Sequence, residues 1–381
     1  MNNTNGSIDR LAIPLILVSL PLTFMDLLLP MYTMSLGYTP VQITGLFSIF
    51  SFFLVLMRLY VGRISDRYGR KTVLIAGLLL YALSYLLYSY SKDIGHLYTA
   101  RVFQSIAGVC LSISCFSMVA DLNNNLGHNY GKIGGYEEKG GLVGVALCFI
   151  IFNYSDFMDG WSYIFKICSA AALISTIYSI IFIKNVKYDY TNTKFNFNFL
   201  KQNILILNLI IKIFTSIVSS IFVLYIANKF NSDLLETGIA FLIPAVVIAF
   251  AYEKLGKISD TIGRYRAVKT SLIMLVLCLI VLTAIKNIYT FGIFWTVYCI
   301  AVVLLDISLK GMFSSDIMES RGTAIGKYTM AGNIGTIIGP VAAGLLFQNN
   351  IALPFIVSSA AFAVMLLTMN KWFNVLSVKK S

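Results

Sequence analysis

Five side chains set inside long apolar runs are the ones whose chemistry calls for an explanation: Asp26, Arg101, Gln104, Glu137 and Lys212. An ionisable group surrounded by hydrocarbon costs at least about 2.5–3.5 kcal/mol on insertion scales, so each needs a partner or a task. Asp26 lies about eight residues, or roughly 12 Å, from the outer end of its run. Arg101 lies about five to seven residues inside the outer end of another, at similar depth. Hydrocarbon favours the neutral acid and a cationic neighbour favours the carboxylate. A carboxyl whose cation comes and goes therefore takes up and releases a proton, whereas one whose cation stays put is a structural pair.

The other three are open in the same way. Gln104, three residues after Arg101 on nearly the same helix face, can bond a solute or a neighbouring helix. Glu137, Glu138 and Lys139 are adjacent and point about 100° apart, so at most one glutamate faces a path squarely; acids near a helix start also suit the helix dipole. Lys212, near the middle of its run, has no acid on its own helix. It is a candidate for an anionic group of a solute or for an acid on another helix. Asp306 and Lys310, four apart, are expected to pair with each other. Lys166 is placed to snorkel, and Arg58 and Glu253 lie near the inner helix ends.

The elements that must position these groups follow from composition. Of 381 residues, 58% are hydrophobic and 12% charged, which marks an all-α integral membrane protein with room for about a dozen helices of about 20 apolar residues. The predicted spans are 11–34, 41–61, 72–91, 96–119, 132–154 and 161–184, then 202–228, 236–255, 267–286, 288–311, 323–347 and 351–371. The first is read as an uncleaved helix. Between the two sets, 185–201 is the longest polar stretch and reads as a cytoplasmic linker. This gives an N-terminal six-helix bundle (1–184) and a C-terminal one (202–381). The net charge of +12 falls in the links on one side: about twenty positives there, against Lys92, Lys229 and Lys286 on the other. Both termini are thus predicted to be cytoplasmic, in the cell inner membrane. The basicity is topology rather than a sign of nucleic acid, with contact to anionic lipid headgroups its one added role. Six cysteines, all in apolar runs without metal-ligand spacing, read as packing residues.

The chain repeats itself at half length. Gly62-x-x-x-Asp66 with Gly69-Arg70 recurs as Gly256-x-x-x-Asp260 with Gly263-Arg264. Asp121 followed by Gly131-Lys132 recurs as Asp316 followed by Gly326-Lys327, and Gly140 and Gly144 recur as Gly335 and Gly339. Two halves of the same polarity follow.

The stretch Gly62-Arg-Ile-Ser-Asp66-Arg67-Tyr-Gly69-Arg70-Lys resembles the loop between the second and third helices of major facilitator superfamily transporters. Arg101-x-x-Gln104-x-x-x-Gly108 is similar to that family's fourth-helix signature. Gly335-x-x-x-Gly339-Pro340 is similar to its Gly-Pro signature of antiporters, although in antiporters that signature belongs to the fifth helix and here it stands in the eleventh. The resemblance implies twelve helices as two parallel-repeat halves around a central path lined by spans one and four, hence a pairing of Asp26 with Arg101. It also implies that Asp66 meets the start of the eleventh helix, at Arg321 and Gly322, when the inner side is closed. Gly62, Asp66, Arg67, Gly69, Arg70, Asp260 and Arg264 become the cytoplasmic gate, and Gly108, Gly335, Gly339 and Pro340 the helix-packing and gating positions.

The function expected is secondary transport of a small, amphipathic or apolar solute, nearest to the bacterial drug and small-solute antiporters. The carrier is a proton-coupled exporter acting as a monomer among membrane lipids, without cofactor or metal. A proton-coupled importer of a sugar, nucleoside or organic anion is the alternative. No catalytic residues are expected. His96 and His128 are the only histidines, and Gly131-Lys132 and Gly326-Lys327 lack the following Ser or Thr of a phosphate-binding loop.

Overall fold

The computed structural model describes residues 9–121, 126–183, 203–231, 234–315 and 321–377. The expected linker at 185–201 lies outside them. The described residues form thirteen helices: α1 Ala12–Val18, α2 Met25–Ser35, α3 Pro40–Tyr68, α4 Arg70–Tyr90, α5 Ile94–Asp121, α6 Leu126–Tyr154, α7 Phe157–Phe182, α8 Asn203–Phe230, α9 Leu234–Ile262, α10 Arg264–Ala284, α11 Ile288–Ser315, α12 Arg321–Asn349 and α13 Leu353–Ser377.

The predicted first span, 11–34, is not one helix but two. Pro21 has no N–H for the carbonyl four residues back, and its ring crowds that carbonyl. The helix stops at Val18, and a turn closed by Leu22 N–H on the Ser19 carbonyl (2.9 Å) and Met25 N–H on the Pro21 carbonyl (2.9 Å) restarts it at Met25. Eight helices among the described residues are long and apolar enough to cross a membrane. α1 and α2 fall short singly because of this break, and α6 because Lys132, Glu137, Glu138 and Lys139 dilute it.

The chain divides into two compact units, one of 1–38 with 49–194, the other of 39–48 with 195–381. In the first unit α4 packs on α5 and α7, and α1 packs on α6 and α7. In the second, α10 packs on α11 and α13, and α8 packs on α12 and α13. That is the same scheme moved on by one half-chain. The glycines repeated in the sequence are where these helices approach most closely. A Cβ at Gly140 or Gly144 would overlap the backbone oxygens of Ile16 and Leu20, and one at Gly335 would stand 2.6 Å from the Leu209 oxygen. At Gly339 it would overlap Ser216 Oγ and stand 2.6 Å from the Ile213 oxygen. Small residues let backbones meet where hydrocarbon supplies no hydrophobic drive between helices.

Each unit has an aromatic cluster at the end away from the α3–α4 or α9–α10 turn. Tyr32 stacks on Trp161 with ring centroids 4.0 Å apart, and Trp161 Nε1 donates to the Tyr88 carbonyl at 2.7 Å. Tyr225 lies 4.3 Å from Phe355, and its hydroxyl donates to the Leu282 carbonyl. Such aromatic pairs add about 0.5–1.5 kcal/mol beyond their buried area.

Candidate functional site

Asp26 owes its position to the broken helix. It sits in the first turn of α2, where the N–H groups of Met25 and Leu27 already bond back to the Pro21 and Phe24 carbonyls, so the helix start adds only a modest dipole to its surroundings. Its neighbours Met25, Leu27, Leu28 and Leu29 are buried while Asp26 is exposed. Pro30, one turn on, removes the N–H that would bond the Asp26 carbonyl.

Arg101 of α5 is 4% exposed. Its Nη1 donates to Gln104 Oε1 at 2.9 Å and its guanidinium lies 5.2 Å from the centre of the Phe50 ring. Gln104 accepts a second bond at the same oxygen from the Tyr88 hydroxyl, also at 2.9 Å. Gln104, itself braced by Tyr88, and the Phe50 ring thus hold the guanidinium. Its charge acts on the Asp26 carboxyl. Gln104, expected to bond either a solute or a helix, here bonds the arginine. Tyr88 was missed by sequence reasoning; it lies seven residues after Tyr81 on one face of α4, a spacing that was there to read.

Glu137 lies half-buried in α6, with Glu138 and Lys139 exposed beside it. Its charge reaches Tyr81 of α4 and Cys115 of α5, so one glutamate of the pair turns inward, as their angular separation requires. Gly108 lies where a Cβ would stand 3.1 Å from the Tyr81 hydroxyl. Lys166 is exposed and lies 5.3 Å from the Tyr90 ring centre.

In the second unit Lys212 finds its acid on another helix. Asp306 Oδ1 stands 3.1 Å from Lys212 Nζ, and Asp306 Oδ2 stands 2.5 Å from Lys310 Nζ. The pairing of Asp306 with Lys310 alone, expected from spacing, is replaced by a bridge between two lysines. Spacing within one helix could not reveal it.

The two short turns repeat each other in detail. Gly69 and Gly263 have φ of +94° and +87°, a conformation that a side chain would strain. Each lets a helix end and another begin without a gap. Asp66 pairs with Arg70 and Asp260 with Arg264, the latter at 3.4 Å. Arg67 lies 5.4 Å from the centre of the Tyr68 ring. Among the described residues nothing lies within 4 Å of where a Cβ would stand on Gly62. The side chains of Arg321, expected with Gly322 to receive Asp66, and of Glu253 lie outside the described set. Pro340 lies inside an unbroken α12. Among the described residues no group of His, Cys, Asp or Glu could hold a metal ion.

Known proteins resemble this chain along most of its length. It is 22% identical over 338 residues to an uncharacterised MFS-type transporter of Methanocaldococcus jannaschii, covering 85% of this chain and 86% of the relative. It is 22% identical over 342 residues to the quinolone resistance protein NorA of Staphylococcus aureus (86% of each), and 24% over 315 residues to multidrug resistance protein 2 of Bacillus subtilis (78% of each). The nucleoside transporter NupG superposes with a TM-score of 0.76 at 12% identity, over 96% of this chain and 99% of that one. A bacterial homologue of the lysosomal transporter Spinster gives 0.73 at 12%, over 99% of this chain and 96% of that one. With two overlapping matches to the family's sequence pattern, at residues 11–319 and 204–380, the chain belongs to the Major Facilitator Superfamily.

Proposed function

We propose that this multi-pass membrane protein is a proton-coupled secondary transporter that exports a small, amphipathic or apolar solute by alternating access. The halves 1–184 and 202–381 act as the two moving bodies, with 185–201 as a cytoplasmic linker and both termini in the cytoplasm. It works as a monomer in the cytoplasmic membrane. The observation that carries the reading is Asp26, exposed at the start of a broken helix and within the field of a fixed, buried Arg101.

Two things favour the Asp26 carboxylate in this arrangement: the arginine charge and, more weakly because its first N–H groups are already bonded, the α2 N-terminus, at no more than about 0.3–1 kcal/mol. Hydrocarbon or a dry cavity opposes both. Because Arg101 is tethered by Gln104 and Phe50, the mobile partner is the short α2. A displacement of α2 away from α5 weakens the attraction and lets the acid take a proton; its return expels the proton. Export accords with the names of NorA and multidrug resistance protein 2, and the apolar surroundings of the site accord with an amphipathic solute.

Inverted membrane vesicles test this. An imposed proton gradient, acid inside, should drive uptake of an exported dye, and Asp26→Asn should abolish that drive while leaving downhill exchange. The importer of a sugar, nucleoside or organic anion predicts the reverse: gradient-driven uptake in right-side-out vesicles and none in inverted ones. Coupling that survives intact in Asp26→Asn would remove this residue from the mechanism.

A further inference from the structure

Three helices of the second unit bring polar groups to one level. Lys212 lies nine residues from the start of α8 (203 to 212), Asp306 nine from the end of α11 (306 to 315) and Tyr328 seven from the start of α12 (321 to 328). At about 1.5 Å per residue these depths are roughly 10–14 Å. Asp306 bridges Lys212 and Lys310, and the buried Tyr328 lies against the same carboxylate. Asn208, one turn before Lys212 and 1% exposed, donates Nδ2 to the Tyr328 carbonyl at 2.8 Å. Its Oδ1 is buried and has no hydrogen-bond partner among the described residues. Gly332 of α12 leaves room beside both: a Cβ there would stand 3.1 Å from Asn208 Nδ2 and 3.2 Å from Lys212 Cγ.

Among the described residues the charges do not balance. Two ammonium groups share one carboxylate, which leaves one positive charge at membrane depth, where a lone cation is costly. The lysine side chains are 30% and 50% exposed and so open to a visitor, while Asp306, at 18%, is the more enclosed. Nor does the duplicated framework require them. Matching the backbone that the repeated glycines meet (Ile16 with Leu209, Leu20 with Ile213) sets Lys212 against Ser19, and the offset of Gly140 to Gly335 sets Asp306 against Leu111, so the first unit builds the same packing without these charges.

We propose that Lys212, Asp306 and Lys310 form a subsite for the carboxylate of an amphipathic monoanion, which takes one lysine while Asp306 keeps the other. The unpaired Asn208 Oδ1 stands ready to accept from an N–H or O–H of the same solute. The subsite deepens the carrier reading above and rests on it for its role in transport. A phosphate of an anionic lipid shares the chemistry, so the test must tell the two apart.

Purified full-length protein in neutral detergent is melted with 1-naphthoate, with its uncharged amide 1-naphthamide, and with phosphatidylglycerol. Naphthoate should raise the melting temperature and naphthamide should not. Lys212→Gln and Lys310→Gln should each weaken the naphthoate effect about tenfold or more, as expected for loss of a charge-assisted hydrogen bond, and Asp306→Asn should strengthen it. Should Lys212→Gln fail to fold, Lys310→Gln, on the more exposed side chain, carries the same comparison. The subsite is refuted by equal stabilisation from acid and amide, by a naphthoate effect indifferent to both lysines, or by none in either wild type or Asp306→Asn. A lysine-dependent effect of phosphatidylglycerol alone would likewise refute a solute site. No proton gradient enters this assay, so its failure leaves the coupling role of Asp26 standing, and loss of that role leaves the subsite standing.

Discussion

Gly144→Ala adds one methyl group where α6 crosses the break between α1 and α2. The new Cβ would overlap the Leu20 carbonyl oxygen and stand 2.7 Å from the Leu20 carbonyl carbon and 3.1 Å from its Cα. Carbon atoms in comfortable contact are about 3.5–4.0 Å apart. All the obstructing atoms are backbone, so no side chain can rotate away and the two segments must part by roughly 1 Å. Overpacking of this kind costs about 1–3 kcal/mol, with backbone obstruction toward the upper end. Alanine recovers about 0.8–1 kcal/mol of helix propensity, leaving a net loss of about 1–2 kcal/mol. Gly135, on the same helix with nothing within 4 Å of its Cβ position among the described residues, gains the propensity without the overlap. The two variants should therefore differ by about 2–3 kcal/mol, or roughly 4–12 °C for a unit of this size. Melting of the purified variants at one scan rate gives the order, which survives irreversible unfolding. Gly339→Ala, whose Cβ would overlap Ser216 and stand 2.6 Å from the Ile213 oxygen, should fall on the Gly144 side. A Gly144→Ala protein that melts at or above Gly135→Ala would refute the idea that these glycines are there for close approach.

Asp66→Asn should lower transport while membrane insertion is kept. The lost pair with Arg70 is worth only about 0.3–0.5 kcal/mol as an exposed i,i+4 contact, so normal turnover in reconstituted vesicles would count against a gating role. Lys229 Nζ donates to the Thr283 carbonyl and the Tyr225 hydroxyl, both at 2.8 Å, and to the Leu282 carbonyl at 3.2 Å, closing the C-terminal end of α10. Lys229→Met should cost about 1–2 kcal/mol and lower the melting temperature; an unchanged melt would show that water replaces it freely. Asp93 caps α5 by accepting from the His96 N–H at 3.0 Å and from the His96 ring, and these bonds hold its carboxyl below the ordinary carboxylate range. A carboxyl depressed in the folded state stabilises above its unfolded value near pH 4 and loses that effect as pH falls through the folded value. Deuterium uptake at residues 94–98, corrected for intrinsic rates, should therefore rise from pH 5 to pH 3 in the wild type and change less in Asp93→Asn.

Much of the candidate site was legible because hydrocarbon makes a charge conspicuous. Asp26, Arg101 and Lys212 stand out by cost alone. Their partners do not: Gln104 reads equally as a contact for a solute or for a helix, and the pairing of Asp26 with Arg101 comes only from the resemblance. The span containing Asp26 reads as one apolar run unless Pro21 is given enough weight to break it, and the break is what places the acid at a helix start. Lys212 and Asp306 lie 94 residues apart, and nothing local links them. Asn208 could have been noticed as a polar residue one turn from Lys212, but Tyr328 looked like one aromatic among many.

Sequence by itself determined the class of protein, the duplication and the turn chemistry. Long apolar runs, repeated glycines and charges crowded into short links each act through local rules of solvation and backbone conformation. Only the tertiary structure decided which charge meets which. Helix packing brings Asp306 between two lysines, ties Arg101 to Gln104 and Phe50, and turns the glycine repeat into matched crossings on α1 and α8. Through-space fields and steric contact depend on how helices distant in the chain are packed, and no spacing along one helix encodes that.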